Sequence, residues 1–275
     1  MNLEQEYDVR GHAPGFDDRR DAWSKAALAY RSGAASAGRA DLDVIYGHHP
    51  RHVYDLFMPE EDAGGAVALF LHGGYWKRLD KSVFSHLAAG LNALGVPVAV
   101  ANYRLCPEAE MCEIIGDVRQ LAAHLARRLG RPLAVVGHSA GAHLAACLTA
   151  TDWVARGFES DVILGGVGIS GIYDLRPLLA TSQNEDLGMS EVEAFAASPL
   201  LWPAPRGRSF ALFTGGREAP EFLRQSRTLQ AAWRGCGVDA TMEVLEDEDH
   251  FTILDHLSPK DGVLTRAVHR LCLQA

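Results

Sequence analysis

The sequence predicts an α/β fold with a mostly parallel central sheet, and three observations carry that prediction. Short apolar runs at Ala66 to Leu71, Val96 to Ala101 and Leu133 to Val136 read as strands buried on both faces. Helical stretches, Ser82 to Leu94 and Glu110 to Leu129, separate them. That alternation implies right-handed crossovers between parallel strands. The third observation is Gly137-His138-Ser139-Ala140-Gly141, a G-x-S-x-G turn between the third of these runs and an Ala- and Leu-rich helix ending near Leu148.

A strand that turns at once into a helix forces Ser139 into strained backbone geometry. Side chains at the flanking positions would clash, so glycine stands there. The turn holds a hydroxyl at the carboxyl edge of the sheet, above a helix N-terminus. The free N–H groups and partial positive charge of that end suit a developing oxyanion.

The remaining elements follow in order. Phe16 to Ser32 carries Trp23, Ala26, Ala27 and Tyr30 at helical spacing, and Gly33 to Gly38 reads as a small-residue linker. Asp41 to Tyr46 and Val53 to Phe57 read as two antiparallel strands joined by a Gly47-His48-His49-Pro50 turn. His48, His49 and His52 have no carboxylate or cysteine at ligand spacing, so a solvated turn is preferred to a metal site. After the elbow helix, Asp161 to Ser170 is a strand. Gly166 to Gly171 matches G-x-G-x-x-G, but Tyr173, Asp174 and Pro177 follow where a helix should open, so a dinucleotide site is discounted. Residues 172–208 form a long insertion with mixed helix signals, a lid or pocket wall by its length. Ser209 to Thr214 is a strand, Pro220 to Arg234 a helix and Ala240 to Leu245 the last strand. Phe251 to Leu273 is mainly helix, interrupted near Ser258-Pro259.

Composition bounds the function. The chain has 275 residues, suited to one α/β domain over 1–275 with 172–208 as a cap within it, and 48% are hydrophobic. A net charge of −9 with no basic cluster argues against nucleic acid or an anionic membrane as partner. No stretch reads as a signal peptide or a membrane span. Five cysteines without a CxxC suit reduced thiols in the cytoplasm. A small-molecule substrate is expected, and a homodimer is compatible with the sequence.

A nucleophilic serine needs a base and a residue that orients it, and in this topology the chain order is Ser, then Asp or Glu, then His. His250, on the loop after the last strand, is the candidate base. His256 is its rival but falls inside a predicted helix, and His138 belongs to the elbow's own structure. Glu218 follows the penultimate strand and is the candidate acid. Glu221 sits in the first turn of the next helix, where acids are common for dipole reasons, and Asp174 comes one strand early. The oxyanion donors expected are the N–H of Ala140 and those of Gly73 and Gly74 in His72-Gly73-Gly74-Tyr75-Trp76. One such donor is typically worth ~3–4 kcal/mol in the transition state. Tyr75 and Trp76 would offer flat surface to an aromatic substrate, with a plain core role as the alternative for Trp76.

These stretches resemble the serine-dependent kynurenine formamidases, or arylformamidases, of the α/β-hydrolase superfamily. His72 to Trp76 is similar to the family's oxyanion motif, which in many superfamily relatives ends in a third glycine. Gly137 to Leu144 is similar to its elbow, Ser170 to Leu175 to the start of its insertion, Ala219 to Phe222 with Gln225-Ser226 to the segment after its acid, and Asp249 to Phe251 to its histidine segment. The likeness covers most of the chain. One departure is Glu218, where the family commonly has Asp. The resemblance implies an α/β-hydrolase fold and formamide hydrolysis by Ser139, Glu218 and His250. It implies no cofactor, and N-formylkynurenine as substrate, with a broad carboxylesterase as the alternative. The His-rich motif of the unrelated metal-dependent formamidases is absent, so a metal mechanism is not implied.

Overall fold

A computed structural model describes residues 2–275. Eight strands form one sheet in the order β1-β2-β4-β3-β5-β6-β7-β8. They are β1 (Ala40–Ile45), β2 (Val53–Phe57), β3 (Val67–Leu71), β4 (Val98–Ala101), β5 (Leu133–His138), β6 (Ile163–Ile169), β7 (Ser209–Gly215) and β8 (Asp239–Leu245). The β1–β2 and β2–β4 pairs are antiparallel and the rest are parallel. Every residue of β3, β4 and β5 is buried, as expected of strands covered by helices on both faces. This is the α/β-hydrolase architecture that the sequence predicts.

Helices close both faces. The first two, α1 (Leu3–Glu6) and α2 (Val9–His12), are single turns, and α3 (Phe16–Ser36) is long. The expected linker at Gly33 to Gly38 is helical up to Ser36, because Ala34 and Ala35 are strong helix formers that outweigh one glycine. The expected helix over Ser82 to Leu94 is instead two 3-10 turns, Lys81–Val83 and Ser85–Ala88, followed by the short α4 (Ala89–Asn92). Gly90 there packs so closely on the Leu257 carbonyl that a Cβ would lie 2.7 Å from it. Next come α5 (Met111–Leu129), with a capping box between Glu110 and Glu113, and α6 (Ala140–Ala150), in which all but Ala150 are buried. Residues 172–208 hold 3-10 turns and two short helices, α7 (Gln183–Leu187) and α8 (Glu191–Ala196). The chain ends with α9 (Pro220–Gly235), a 3-10 turn at Thr252–Leu257, and α10 (Val263–Cys272).

The glycine pattern at Gly166 to Gly171 lies within β6 and the turn after it, not at a helix start. A Cβ at Gly166 would meet the Phe210 ring at 2.6 Å, and one at Gly168 the Tyr173 hydroxyl at 2.3 Å. These glycines make room for packed aromatics. His49 and His52 are taken up separately, His49 by Glu108 at 3.1 Å and His52 by Asp117 at 3.1 Å. Among the described residues no helix is long and apolar enough to cross a membrane.

Candidate active site

Ser139 joins β5 to α6 with φ 54° and ψ −118°, a conformation that L-residues rarely hold. Close approach of the backbone on both sides maintains it. A Cβ on Gly137 would lie 2.0 Å from the Gly141 carbonyl oxygen, and one on Gly141 would lie 2.0 Å from the Leu71 carbonyl oxygen of β3. Only hydrogen fits at either place. The strain is therefore locked in by the packing of α6 on the sheet, and it puts the Ser139 hydroxyl into a cavity at the carboxyl edge.

His250 follows β8 and is buried. Its Nδ1–H donates to Glu218 Oε2 at 2.6 Å. The other carboxylate oxygen, Oε1, accepts from Ser170 Oγ at 2.5 Å and from the Gly215 N–H at 2.6 Å. Glu218 is thus held by three donors in a buried setting, which fixes the plane of the imidazole. With Nδ1 committed, Nε2 is the nitrogen left for the cavity, which His250 and Ser139 both line. Glu221 and Asp174 are used elsewhere. Arg224 clasps Glu221 through two nitrogens, and Asp174 pairs with Arg176 at 2.8 Å. His256 Nε2 faces Glu248 Oε1 at 2.9 Å.

Two further histidines brace the site. His138 Nε2–H donates to the His250 carbonyl at 2.7 Å, tying the elbow to the histidine loop. Burial, with His250 beside it, pushes the His138 pKa well below its ordinary value, so the ring stays neutral and keeps one tautomer. His72 donates from Nδ1 to the Gly73 carbonyl at 2.7 Å and stacks on Tyr103, with ring centres 4.6 Å apart. Burial lowers its pKa to about 4.

The His72–Trp76 loop separates its residues by role. Gly74, at φ +112°, lines the cavity, and a Cβ there would lie 2.4 Å from the Arg78 carbonyl oxygen. Gly73 packs under the elbow, its Cβ position 3.0 Å from His138 Nδ1. The N–H groups of Gly73, Gly74 and Tyr75 meet no backbone acceptor among the described residues, nor does that of Ala140 in the open first turn of α6. Tyr75 lines the cavity at 8% exposure and donates its hydroxyl to the Tyr7 carbonyl at 2.6 Å. Trp76 does not line it. It is 0% exposed, and its Nε1–H donates to His143 Nδ1 at 3.2 Å, so its ring belongs to the core against α6. The expectation that Trp76 faces substrate is therefore corrected. Because the His143 Nε2–H goes to the Ala197 carbonyl at 2.7 Å, its Nδ1 is free to accept the indole N–H.

The cavity, about 390 Å³, is in the range of small-molecule sites, roughly 300–1,000 Å³. Much of its wall comes from residues that have no site role on sequence grounds. Tyr7, Asp8, Val9 and Arg10 form a strap across it, Phe16 and Trp23 of α3 supply apolar surface, and Ser182 and Gln183 come from the 172–208 segment. Tyr7 fastens the strap: its hydroxyl donates to Glu221 Oε1 at 2.6 Å and accepts from Gln225 Nε2 at 2.9 Å. A buried tyrosine near the N-terminus is invisible as a site residue when its partners lie more than 200 positions away. Ser170, at φ 53°, is the other unforeseen member.

Comparison with known proteins places this arrangement. The sequence family described as BD-FAE matches residues 54–164. The zebrafish (Danio rerio) kynurenine formamidase is 31% identical over 246 residues, covering 86% of this chain and 84% of that protein. The chain belongs to the kynurenine formamidase family. The Salmo salar kynurenine formamidase is 32% identical, with 84% of this chain and 81% of that protein covered. Among solved structures, one from a Silicibacter species, whose description proposes a thioesterase, superposes with a TM-score of 0.89 at 33% identity, covering 98% of this chain and 99% of that one. A Pyrobaculum calidifontis esterase shares the fold at TM-score 0.72 and 19% identity, covering 93% of this chain and 92% of that one.

Proposed function

We infer that this protein is a serine hydrolase that cleaves the formamide of N-formylkynurenine, releasing kynurenine and formate. The observation that carries the chemistry is the buried relay of Ser170 and Gly215 to Glu218 to His250, opening on the cavity that holds Ser139. Membership of the kynurenine formamidase family supplies the bond to be cut.

In this reading His250 Nε2 takes the Ser139 proton as Oγ attacks the formyl carbon. The carbonyl π electrons move onto oxygen, and the oxyanion is received by the N–H groups of Ala140 and the Gly74 loop. His250 then passes the proton to the departing nitrogen as the C–N bond breaks. An aniline lone pair is delocalised into its ring, so the leaving amine departs more readily than an alkyl amine. Water, deprotonated by His250, attacks the formyl-serine ester, and formate leaves as Ser139 regains its proton. Every step is served by the chain's own groups. The five free cysteines support a cytoplasmic setting.

The test is kinetic. The reading expects kcat/KM for N-formylkynurenine to exceed that for p-nitrophenyl acetate. Rapid ester turnover with negligible formamide cleavage overturns it in favour of a carboxylesterase; several fold neighbours are described as esterases.

A further inference from the structure

The cavity has an apolar floor and a charged mouth, and the mouth is not neutralised from within. Four charged side chains reach it: Glu4, Asp8, Arg10 and Arg78. Two are already engaged. Glu4 accepts from the Ser182 N–H at 2.8 Å and from the Ser182 hydroxyl, and the Arg10 guanidinium lies over the Phe16 ring at 4.5 Å. Among the described residues Arg78 and Asp8 have no ion-pair partner of their own. Asp186, the acid that feels the charge of Arg78, is bonded to Lys77 at 2.6 Å. Asp8 accepts only the Gly11 N–H, at 3.0 Å, through Oδ1. The two stand on different elements. Arg78 sits on the loop that carries Gly74, which it touches through its carbonyl, and Asp8 sits on the strap beside Tyr7.

We propose that Arg78 and Asp8 form a zwitterion-reading rim, in which the guanidinium receives an α-carboxylate and the aspartate an α-ammonium group. The inference rests on the formamidase reading and says what makes the site selective within it. With the formyl group at Ser139 and the aryl ring among Tyr75, Phe16 and Trp23, the amino-acid end of N-formylkynurenine projects to the mouth. A neutral ester or a simple formanilide fills only the floor. The floor and relay therefore define a general acyl-transfer site, and the rim converts it into one for an aryl amino acid. A charge-assisted pair at a half-open rim distinguishes substrates by about 10- to 100-fold.

The experiment compares wild type with Arg78→Gln, Arg78→Lys and Asp8→Asn on three substrates: N-formylkynurenine, formanilide and p-nitrophenyl acetate. Asparagine retains the helix-capping ability of Asp8, so the strap keeps its start. Arg78→Gln is expected to lose about 10- to 100-fold in kcat/KM on N-formylkynurenine, mainly through KM, with formanilide and the ester unchanged. Arg78→Lys recovers part of the loss, and Asp8→Asn gives a smaller, equally selective one. A loss shared by all three substrates, or no loss on any, overturns the proposal. Kynurenine as a competitive inhibitor of ester hydrolysis gives a second readout, independent of formamide turnover. Wild type that fails to cleave N-formylkynurenine refutes the formamidase reading. The rim is then judged alone: weaker kynurenine inhibition in Arg78→Gln supports it, and an unchanged inhibition constant overturns it.

Discussion

Replacing Glu218 with glutamine tests the relay with almost no change of volume. The carboxylate accepts from three donors, and two of them constrain how an amide can sit. The Gly215 N–H, at 2.6 Å from Oε1, is a fixed donor with no alternative orientation. An amide NH2 facing it would set donor against donor at close range, so the glutamine oxygen must take the Oε1 position, where Ser170 Oγ also donates. The NH2 then faces His250 Nδ1. To accept from it, Nδ1 must give up its proton, and the proton moves to Nε2, the nitrogen that has to accept from Ser139. The imidazole remains in place in the wrong tautomer. In a serine protease with a triad of this kind the equivalent change lowers kcat about 10⁴-fold, or ~5.4 kcal/mol. A loss of that order is expected here, with KM within a few-fold. The assay is steady-state formate release at pH 7 with circular dichroism to confirm folding. A folded Glu218→Gln protein within about tenfold of wild-type kcat refutes the orientation argument and moves the acid elsewhere.

Other perturbations follow from the same geometry. Tyr7→Phe removes the hydroxyl that binds Glu221 and Gln225, at a cost of about 1–3 kcal/mol to the docked strap. Faster limited proteolysis near residues 7–15 and a raised KM are expected, and unchanged cleavage contradicts it. Gly141→Ala drives a methyl into the Leu71 carbonyl, at about 3 kcal/mol or more, so its soluble yield and melting temperature should fall sharply. His72 and His143 are buried, with pKa values lowered from 6.5 to about 4. The unfolded chain binds more protons at these sites, so their stabilising effect is complete above pH 6.5 and is lost as the pH falls from there towards 4. At pH 5 each costs about 2 kcal/mol relative to pH 7, a drop that urea unfolding at the two pH values should register. Equal unfolding free energies contradict it.

How much of this was legible in the sequence depends on the range of the contacts. The elbow is mostly local: five residues, their flanking strand and helix, and Gly137, whose need is a backbone clash within the same turn; only the need for Gly141 comes from outside it, from the Leu71 carbonyl of β3. The sheet was legible because β3, β4 and the Leu133 to Val136 part of β5 are uninterrupted apolar runs. Glu218 and His250 could be placed by their position after β7 and β8, because the edge of the sheet fixes where such loops arrive. Trp76 was ambiguous because an indole suits a pocket and a core equally, and the partner that decides the matter, His143, lies 67 residues on. Ser170 follows a strand end like any other serine until Glu218 is brought to it. The strap was illegible for the same reason: Tyr7 gains its meaning only from Glu221, 214 residues away. The segment expected as one helix over Ser82 to Leu94 is two 3-10 turns and a short helix, in which Gly90 packs closely on the chain near Leu257, a contact that no local propensity reports.

The most direct measurement is the product balance with N-formylkynurenine for wild type and Ser139→Ala at equal folded concentration. Kynurenine and formate are expected in equal amounts from wild type, with a loss of about 10⁶-fold in the variant, down to what the oxyanion donors alone sustain. Substrate left intact by wild type, or a variant that releases both products at the wild-type rate, contradicts it.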